Sequence, residues 1–504
     1  MEKTLQNKLL LYALISAVSF IFLIMHDYAG ISVPLFFILQ FACWYWLVPQ
    51  KKALWLFAPI FILSLNSFIS GNPMWHVSNV FVIMILYSVM VLVMIGKFRI
   101  KEDSLRFIFD TIVTIFSPIK HVLLPFKWWS EVDQHTTEVV KRVVKGIAIT
   151  LPCLIFLIIM LSSADAIFLK GTNNFFDQVL NLVSIESIFK IINGVVVGLY
   201  LFGLAYIAYT AGDEEEPEPT AVKTPKGDLA ILNILLISVL AVYTLFVFIQ
   251  FRYLFAGAQL PYGLSYSEYA RKGFFELLFL SGLNIILILI AVNLTRLREG
   301  WWPKITRYLC HYLCLVTIIL LASSFYRLWL YSSDAGLTRL RLLVFGFLIF
   351  EAIGLMITFF YINKPKFNIS AVYLSIGLVY YLLLNLTPID SLIARNQIDR
   401  YFAEQKQGVA YIMTLSPDAA PQIARLLDTE QVDPLTKELA QTYFVNLNNR
   451  YGDADRGWRG YNLSVNRGIK IATDILPERL LHPVDHRPLE VTDSANPEMA
   501  EAAE

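Results

Sequence analysis

Long apolar runs separated by short polar ones dominate the chain. A helix that crosses a bilayer needs roughly 20 mostly apolar residues. Runs of that kind fall near 9–25, 30–48, 53–70, 77–96, 146–164, 190–209, 229–251, 273–293, 306–330, 342–362 and 368–386. They predict an all-α fold, a polytopic membrane helix bundle of about eleven transmembrane helices. Lys3 and Lys8 precede the first run, which is long for a signal-peptide core. No small-residue cleavage site follows it, so it reads as an uncleaved first helix. The stretch Ser104–Phe126 is different, because Arg106, Asp110, Pro118, Lys120 and Pro125 interrupt it. Those charges and breakers predict an amphipathic helix in the interface, with Trp128 and Trp129 as anchors. If that stretch crosses instead, every later loop changes side.

The apolar pattern ends near Pro388. Residues 387–480 read as a small helical tail, with helical periods near Pro388–Glu404, Gly408–Leu415, Pro417–Asp428, Leu435–Asn449 and Tyr461–Ile475. Asp418, after Ser416-Pro417, is placed to cap or begin its helix. Residues 481–504 are rich in Pro and acid and predict disorder. The segment DEEEPEPTAVKTPK at 213–226 lies in a solvated linker, 210–228, that separates the membrane helices of 1–209 from those of 229–386. The two halves show no repeat of the inverted-transporter kind.

Composition agrees with this pattern. Of 504 residues 57% are hydrophobic and only 16% charged, against about 25% charged in soluble domains. The mean hydropathy is +0.58. The net charge of +1 hides an asymmetry: residues 1–386 carry 29 Lys and Arg against 22 Asp and Glu, and the remainder carries 12 against 18. With the N-terminus inside, 21 basic residues of the membrane part lie on the inner side and 8 on the outer. The positive-inside rule then puts the N-terminus in the cytoplasm and the tail outside it. No basic patch interleaved with stacking aromatics points to nucleic acid. Cys43, Cys153, Cys310 and Cys314 all lie in apolar runs, so no disulfide framework follows. Cys310 and Cys314 flank His311, but without further ligands they read as apolar core, and neither metal nor cofactor is expected.

Four polar segments fall on the outer side of this arrangement. They are Ser162–Asp165, Tyr262–Glu276, Arg327–Arg341 and Asp390–Tyr401. They supply Tyr266, Glu268, Tyr269, Arg271, Arg327, Asp334, Arg339, Arg341 and Arg395 as an outer binding face. Arg271, Arg339 and Arg341 would receive an anion such as a lipid phosphate or a carboxylate, since the planar guanidinium donates two parallel hydrogen bonds. The plainer reading is interfacial tyrosines and short-range ion pairs worth a few tenths of a kcal/mol. Within the bundle stands Glu351, whose charged form costs about 2.5–3.5 kcal/mol on insertion scales. It is either a neutral carboxyl bonded to another helix or a proton or cation site. Glu276 sits one turn inside its helix, within reach of Arg271 and Lys272, and the deeper Asn284 is placed to bond across helices.

The segments SSADAIF at 162–168, YSEYARKGFFEL at 266–277, YSSDAGLTRLR at 331–341, IDSLIARNQIDRY at 389–401, YIMTLSPDAAP at 411–421 and WRGYNLS at 458–464 carry a resemblance. Over about residues 145–475 the chain resembles an uncharacterised family of bacterial multi-pass inner-membrane proteins, a domain of unknown function. Asn396 stands where that pattern has Tyr. The resemblance implies topology and compartment and no activity. No phosphate loop, paired-histidine helix or nucleophile elbow is present. Three functions remain. The first is an envelope protein that binds a lipid head group or a protein partner at its outer face. The second is a proton- or cation-coupled transporter using Glu351 and Arg327. The third is an envelope lipid- or glycan-modifying enzyme using Glu268 with Asp334 or Asp165. Oligomeric state leaves no trace in the sequence.

Overall fold

The structure, a computed structural model, describes residues 3–48, 51–96, 104–132, 185–210, 227–250, 274–295, 298–363, 368–404, 409–452 and 456–477, with isolated helical positions between 146 and 161. The described residues hold helices and turns and no strand. The expected crossing at 146–164 therefore lies largely outside them. The membrane helices are α1 Lys3–Leu23, α2 Ser32–Leu47, α3 Phe57–Ile69, α4 Pro73–Met94, α5 Ser104–Phe116, α6 Leu124–Val132, α7 Ile185–Thr210, α8 Leu229–Gln250, α9 Phe274–Thr295, α10 Trp301–Ala335, α11 Arg339–Asn363 and α12 Ile369–Leu386. Among the described residues nine helical stretches are long and apolar enough to cross a membrane, and α2 and α3 are shorter apolar helices. The fold is a polytopic membrane helix bundle.

Helices α1–α4 and α7 share one apolar core around Leu9, Trp44, Ile60, Met90 and Phe202. Small residues set the closest approach in it. A Cβ on Gly198 would stand 2.8 Å from both the Ala13 carbonyl and the Ala17 methyl of α1. This is the small-residue packing that lets membrane helices touch without a hydrophobic driving force. Gly194 meets Ala17 and Ile21, so α7 runs antiparallel to α1. Helices α8–α11 form a second core around Leu236, Ile288, Leu313 and Leu355.

Helix α12 joins the halves through polar groups. The Asn79 amide donates to the Leu63 carbonyl (3.1 Å) and to Asn385 Oδ1 (2.8 Å). Tyr381 donates to Asn79 Oδ1 (2.8 Å), and the Asn66 amide donates to the Asn385 carbonyl (2.8 Å). Unpaired amides are costly in hydrocarbon, and these members satisfy one another except for Asn66 Oδ1, which has no partner among the described residues.

The stretch 104–128 is broken. A 3₁₀ turn at Ser117–His121, where Pro118 removes a helical donor, separates α5 from α6. Tyr200 donates to the Ile115 carbonyl (3.1 Å), while His121 and Trp128 both pack on Tyr206 of α7. The chain thus doubles back beside one stretch of α7.

Helix α10 has 35 residues. At 1.5 Å per residue it is about 52 Å long, well beyond a hydrocarbon core of about 30 Å. Its last turns project past the bundle and meet the tail. The tail comprises α13 Ile389–Glu404, short turns over Val409–Thr414 and from Pro417 to Leu426, α14 Pro434–Tyr451 and α15 Leu463–Ile475. It has its own core of Ile393, Ile398, Ile412, Ile423 and Phe444, closed against Trp75 of α4.

Candidate functional site

The tail is fastened to the end of the bundle through one carboxylate. Asp390, in the first turn of α13, is fully buried. Its oxygens accept Arg339 Nε and Nη2, both at 2.6 Å, so the guanidinium fork is bidentate. They also accept the Ser416 amide (3.0 Å) and Asn72 Nδ2 (3.3 Å). Four donors from α11, the tail and the α3–α4 turn thus converge on one buried charge. Charge-assisted pairs of this geometry are about twice as strong as neutral hydrogen bonds, and they offset the desolvation of the carboxylate.

Two further contacts extend the clasp. Asp418 takes Ser70 Oγ (2.5 Å) and the Gly71 amide (2.8 Å). Asp418 stands in the first helical turn at Pro417, as expected, but that turn has no side-chain cap and the carboxylate reaches a membrane loop instead. Asn462 caps α15 through the Val465 amide, while its own amide donates to the Ser67 and Ser70 carbonyls, each at 2.8 Å. The tail also completes α2. Helix N-termini leave amides without intrahelical partners, and here Ile31 and Ser32 donate to the carbonyls of Tyr461 (3.0 Å) and Arg459 (3.3 Å). Gly30 is required at that crossing, since a Cβ would stand 2.6–2.7 Å from backbone atoms of residues 459–461.

The structure brings together two of the four polar segments. Arg327–Ala335 is the end of α10, not a loop, and Gly336 turns the chain with φ +74°. The turn is clasped by α13: the Leu337 amide donates to Asn396 Oδ1 (3.2 Å), and Gln397 donates to the Leu337 carbonyl (2.9 Å). Asn396, the departure from the family pattern, thus has a structural task. Arg341 covers the Tyr331 ring at 4.0 Å and donates to the carbonyls of Ala335 and Gly336. Arg395 lies 3.7 Å from Asp399, which also pairs with Arg425 (2.8 Å). Arg327 is buried in α10. Asp334 stands on the last turn of that helix, and its side chain lies outside the described residues. Tyr266, Glu268, Tyr269 and Arg271 lie outside the described residues, as does their segment up to residue 273. Glu276 is exposed on the first turn of α9.

Glu351 stands apart from the clasp. It is 5% exposed on α11. Ser281 of α9 donates to its Oε1 (2.8 Å), while its Oε2 has no hydrogen-bond partner among the described residues. One turn along α9, Asn284 takes a hydrogen bond from Tyr243 (3.0 Å) and gives one to Thr317 (3.1 Å). A carboxyl buried in this way favours its neutral, protonated form in an apolar bundle. Cys310 and Cys314 are buried free thiols, and His311 bonds the Arg307 carbonyl (2.7 Å). No three His, Cys, Asp or Glu side chains converge among the described residues.

Asp390, Arg339, Asn72 and Asn462 form the clasp, yet only Arg339 among them carries the anion-binding pattern in sequence. Asn72 and Asn462 each precede a helix and look like ordinary N-caps, which they also are. No curated protein and no solved structure matches the chain. A family model described as a domain of unknown function, DUF4153, matches residues 57–426, beginning earlier and ending earlier than the sequence motifs imply. The match runs from α3 through α12 and α13 and includes the Asp390 and Asp418 contacts, and the chain belongs to this DUF4153 family.

Proposed function

We propose that the chain is a non-enzymatic binding protein of the bacterial inner membrane, whose bundle holds the tail as a fixed platform on the extracytoplasmic side for a partner in the envelope. The observation that carries this reading is the buried Asp390–Arg339 pair, with its added donors from the α3–α4 turn and Ser416. A tail that hung from a linker would need no such attachment. Fixing a surface in advance removes ordering cost from each binding event. The platform keeps Leu435, Trp458 and Leu463 exposed. A photocrosslinking residue at Leu435, used in living cells, is expected to give a discrete adduct that disappears in Asp390→Ala at equal abundance. An adduct unchanged by Asp390→Ala, or none from any of the three positions, defeats the reading.

A second reading is proton- or cation-coupled transport, favoured by the Oε2 of Glu351, which has no partner among the described residues, beside Ser281. Glu351→Gln keeps the shape and removes the titrating group. Normal abundance with loss of pH-dependent growth or of proton uptake in proteoliposomes supports this reading, and unaltered behaviour in both removes it.

A further inference from the structure

We propose that the groove between the tail-side ends of α1 and α7 binds one anionic phospholipid, its phosphate between Lys190 and Arg459 and an acyl chain along α1. The groove has a volume of about 380 Å³ and is lined by Val18, Ile21, Phe22, Met25, His26, Lys190 and Arg459. Its wall is apolar and its upper rim cationic, which matches a lipid with a charged head and hydrocarbon tail.

Its height in the bundle fits as well. The apolar span of α1 ends at Leu23, and polar residues begin at His26. Head groups lie at this level, and aromatic rings gather there. Trp458 is exposed and packs on Phe22 with ring centres 6.2 Å apart.

Arg459 is held ready. It lies 5.0 Å over the Phe22 ring, and one guanidinium nitrogen donates to the Phe22 carbonyl (2.9 Å) at the end of α1. A guanidinium has five N–H donors in a planar fork, so the opposite edge can serve two phosphate oxygens. Lys190 pairs with Glu186 one turn away on α7, and that Glu186 carboxylate is 65% exposed. An exposed ion pair contributes little, so the lysine can turn to a phosphate at small cost. Both cations act on His26, holding its pKa below the ordinary range together with burial, the larger cause. The ring of His26 is itself held in place, its Nε2 2.7 Å from Ser32 Oγ and its Nδ1 accepting the Tyr28 amide (3.4 Å), so it shapes the groove wall and leaves the phosphate to the two cations. The neighbouring acid is Asp27, which is exposed.

The test uses the full chain in nanodiscs of phosphatidylcholine, alone or mixed with phosphatidylglycerol. Native mass spectrometry counts the lipid retained on release, and melting is followed in both lipids. We expect one phosphatidylglycerol retained per chain and a higher melting temperature in the mixed discs. Lys190→Gln with Arg459→Gln is expected to weaken retention roughly tenfold or more and to abolish the phosphatidylglycerol-specific rise. Lys190→Arg with Arg459→Lys preserves both. Val18→Trp, which keeps the cations and fills the apolar wall, also loses the lipid, and inorganic phosphate does not displace it. Undiminished retention in the double Gln variant or in Val18→Trp overturns the proposal. So does displacement by inorganic phosphate, which assigns the site to a free anion.

Discussion

Asp390 shows how differently the two members of an ion pair can weigh. Its carboxylate is fully buried, whereas the Arg339 side chain remains 31% exposed. Removing the arginine strands a charge without solvent, a loss of about 3–5 kcal/mol. Removing the aspartate leaves an arginine that water can reach, so Asp390→Ala should cost less than Arg339→Met. Replacing both together should cost less than the sum of the single changes. Limited proteolysis of the tail and thermal unfolding in detergent measure all three variants, and strict additivity would mean that the pair is not coupled. The sequence shows both residues but not their meeting, because 50 intervening positions, including two membrane helices, separate them. Asp418 was legible in part for a related reason: Ser-Pro-Asp does begin a helical turn at Pro417, but the carboxylate serves the longer-range donors on Ser70 and Gly71 instead of a local cap. A third carboxylate makes a pH prediction. Asp433 accepts hydrogen bonds from Tyr401 (2.6 Å) and, as the N-cap of α14, from the Thr436 amide (2.9 Å). The Tyr401 hydroxyl, followed by the Thr436 bonds, lowers its pKa from 3.8 to about 2. Because the folded value lies below the unfolded one, its contribution is complete above about pH 4 and is lost as pH falls through about 2. Circular dichroism across that range should show the tail loosening in the parent, with Asp433→Ala loosened already at neutral pH.

At the scale of the element, apolar periodicity reads well where lipid alone decides and poorly where packing does. Ten of the eleven expected crossings coincide with helices in the described residues. The end of α10 was not legible: the apolar run stops near Leu330, yet the helix continues to Ala335. There Arg400 of α13 donates to the Ser332 carbonyl (2.9 Å), so tail contacts support turns that hydropathy does not mark. Gly198 offers a clear test of helix packing. It is an unremarkable glycine in an apolar run, but its missing side chain is what admits the α1 backbone. Gly198→Leu should push α1 from α7 and destabilise the first half by about 1–3 kcal/mol, the usual cost of overpacking. Gly146→Ala, whose Cβ meets nothing within 4 Å among the described residues, should be silent. Equal melting temperatures for the two variants would mean that the α1–α7 contact does not limit stability.

For the whole molecule, the contacts of the tail constrain topology more firmly than counting helices does. By counting, the side of every loop after residue 126 depends on whether 104–126 crosses. The tail removes that dependence, because its carbonyls bond the start of α2, its Asp418 bonds the α3–α4 turn, and its Asp390 bonds the start of α11. Those three turns and the tail therefore share one end of the bundle, whatever the chain does between 97 and 184. Helix α1 runs toward that end, so Lys3 begins at the other. Under the positive-inside rule, the bias of basic residues toward the Lys3 side predicts a cytoplasmic N-terminus. A periplasm-active reporter after Glu504 should be active and the same reporter before Met1 silent, with a cytoplasm-active reporter giving the reverse. Cysteine labelling from outside intact cells should reach Leu435→Cys and spare Lys52→Cys. Activity of both fusions on one side would contradict the shared end, and would dissolve the tail's role as an outward platform along with it.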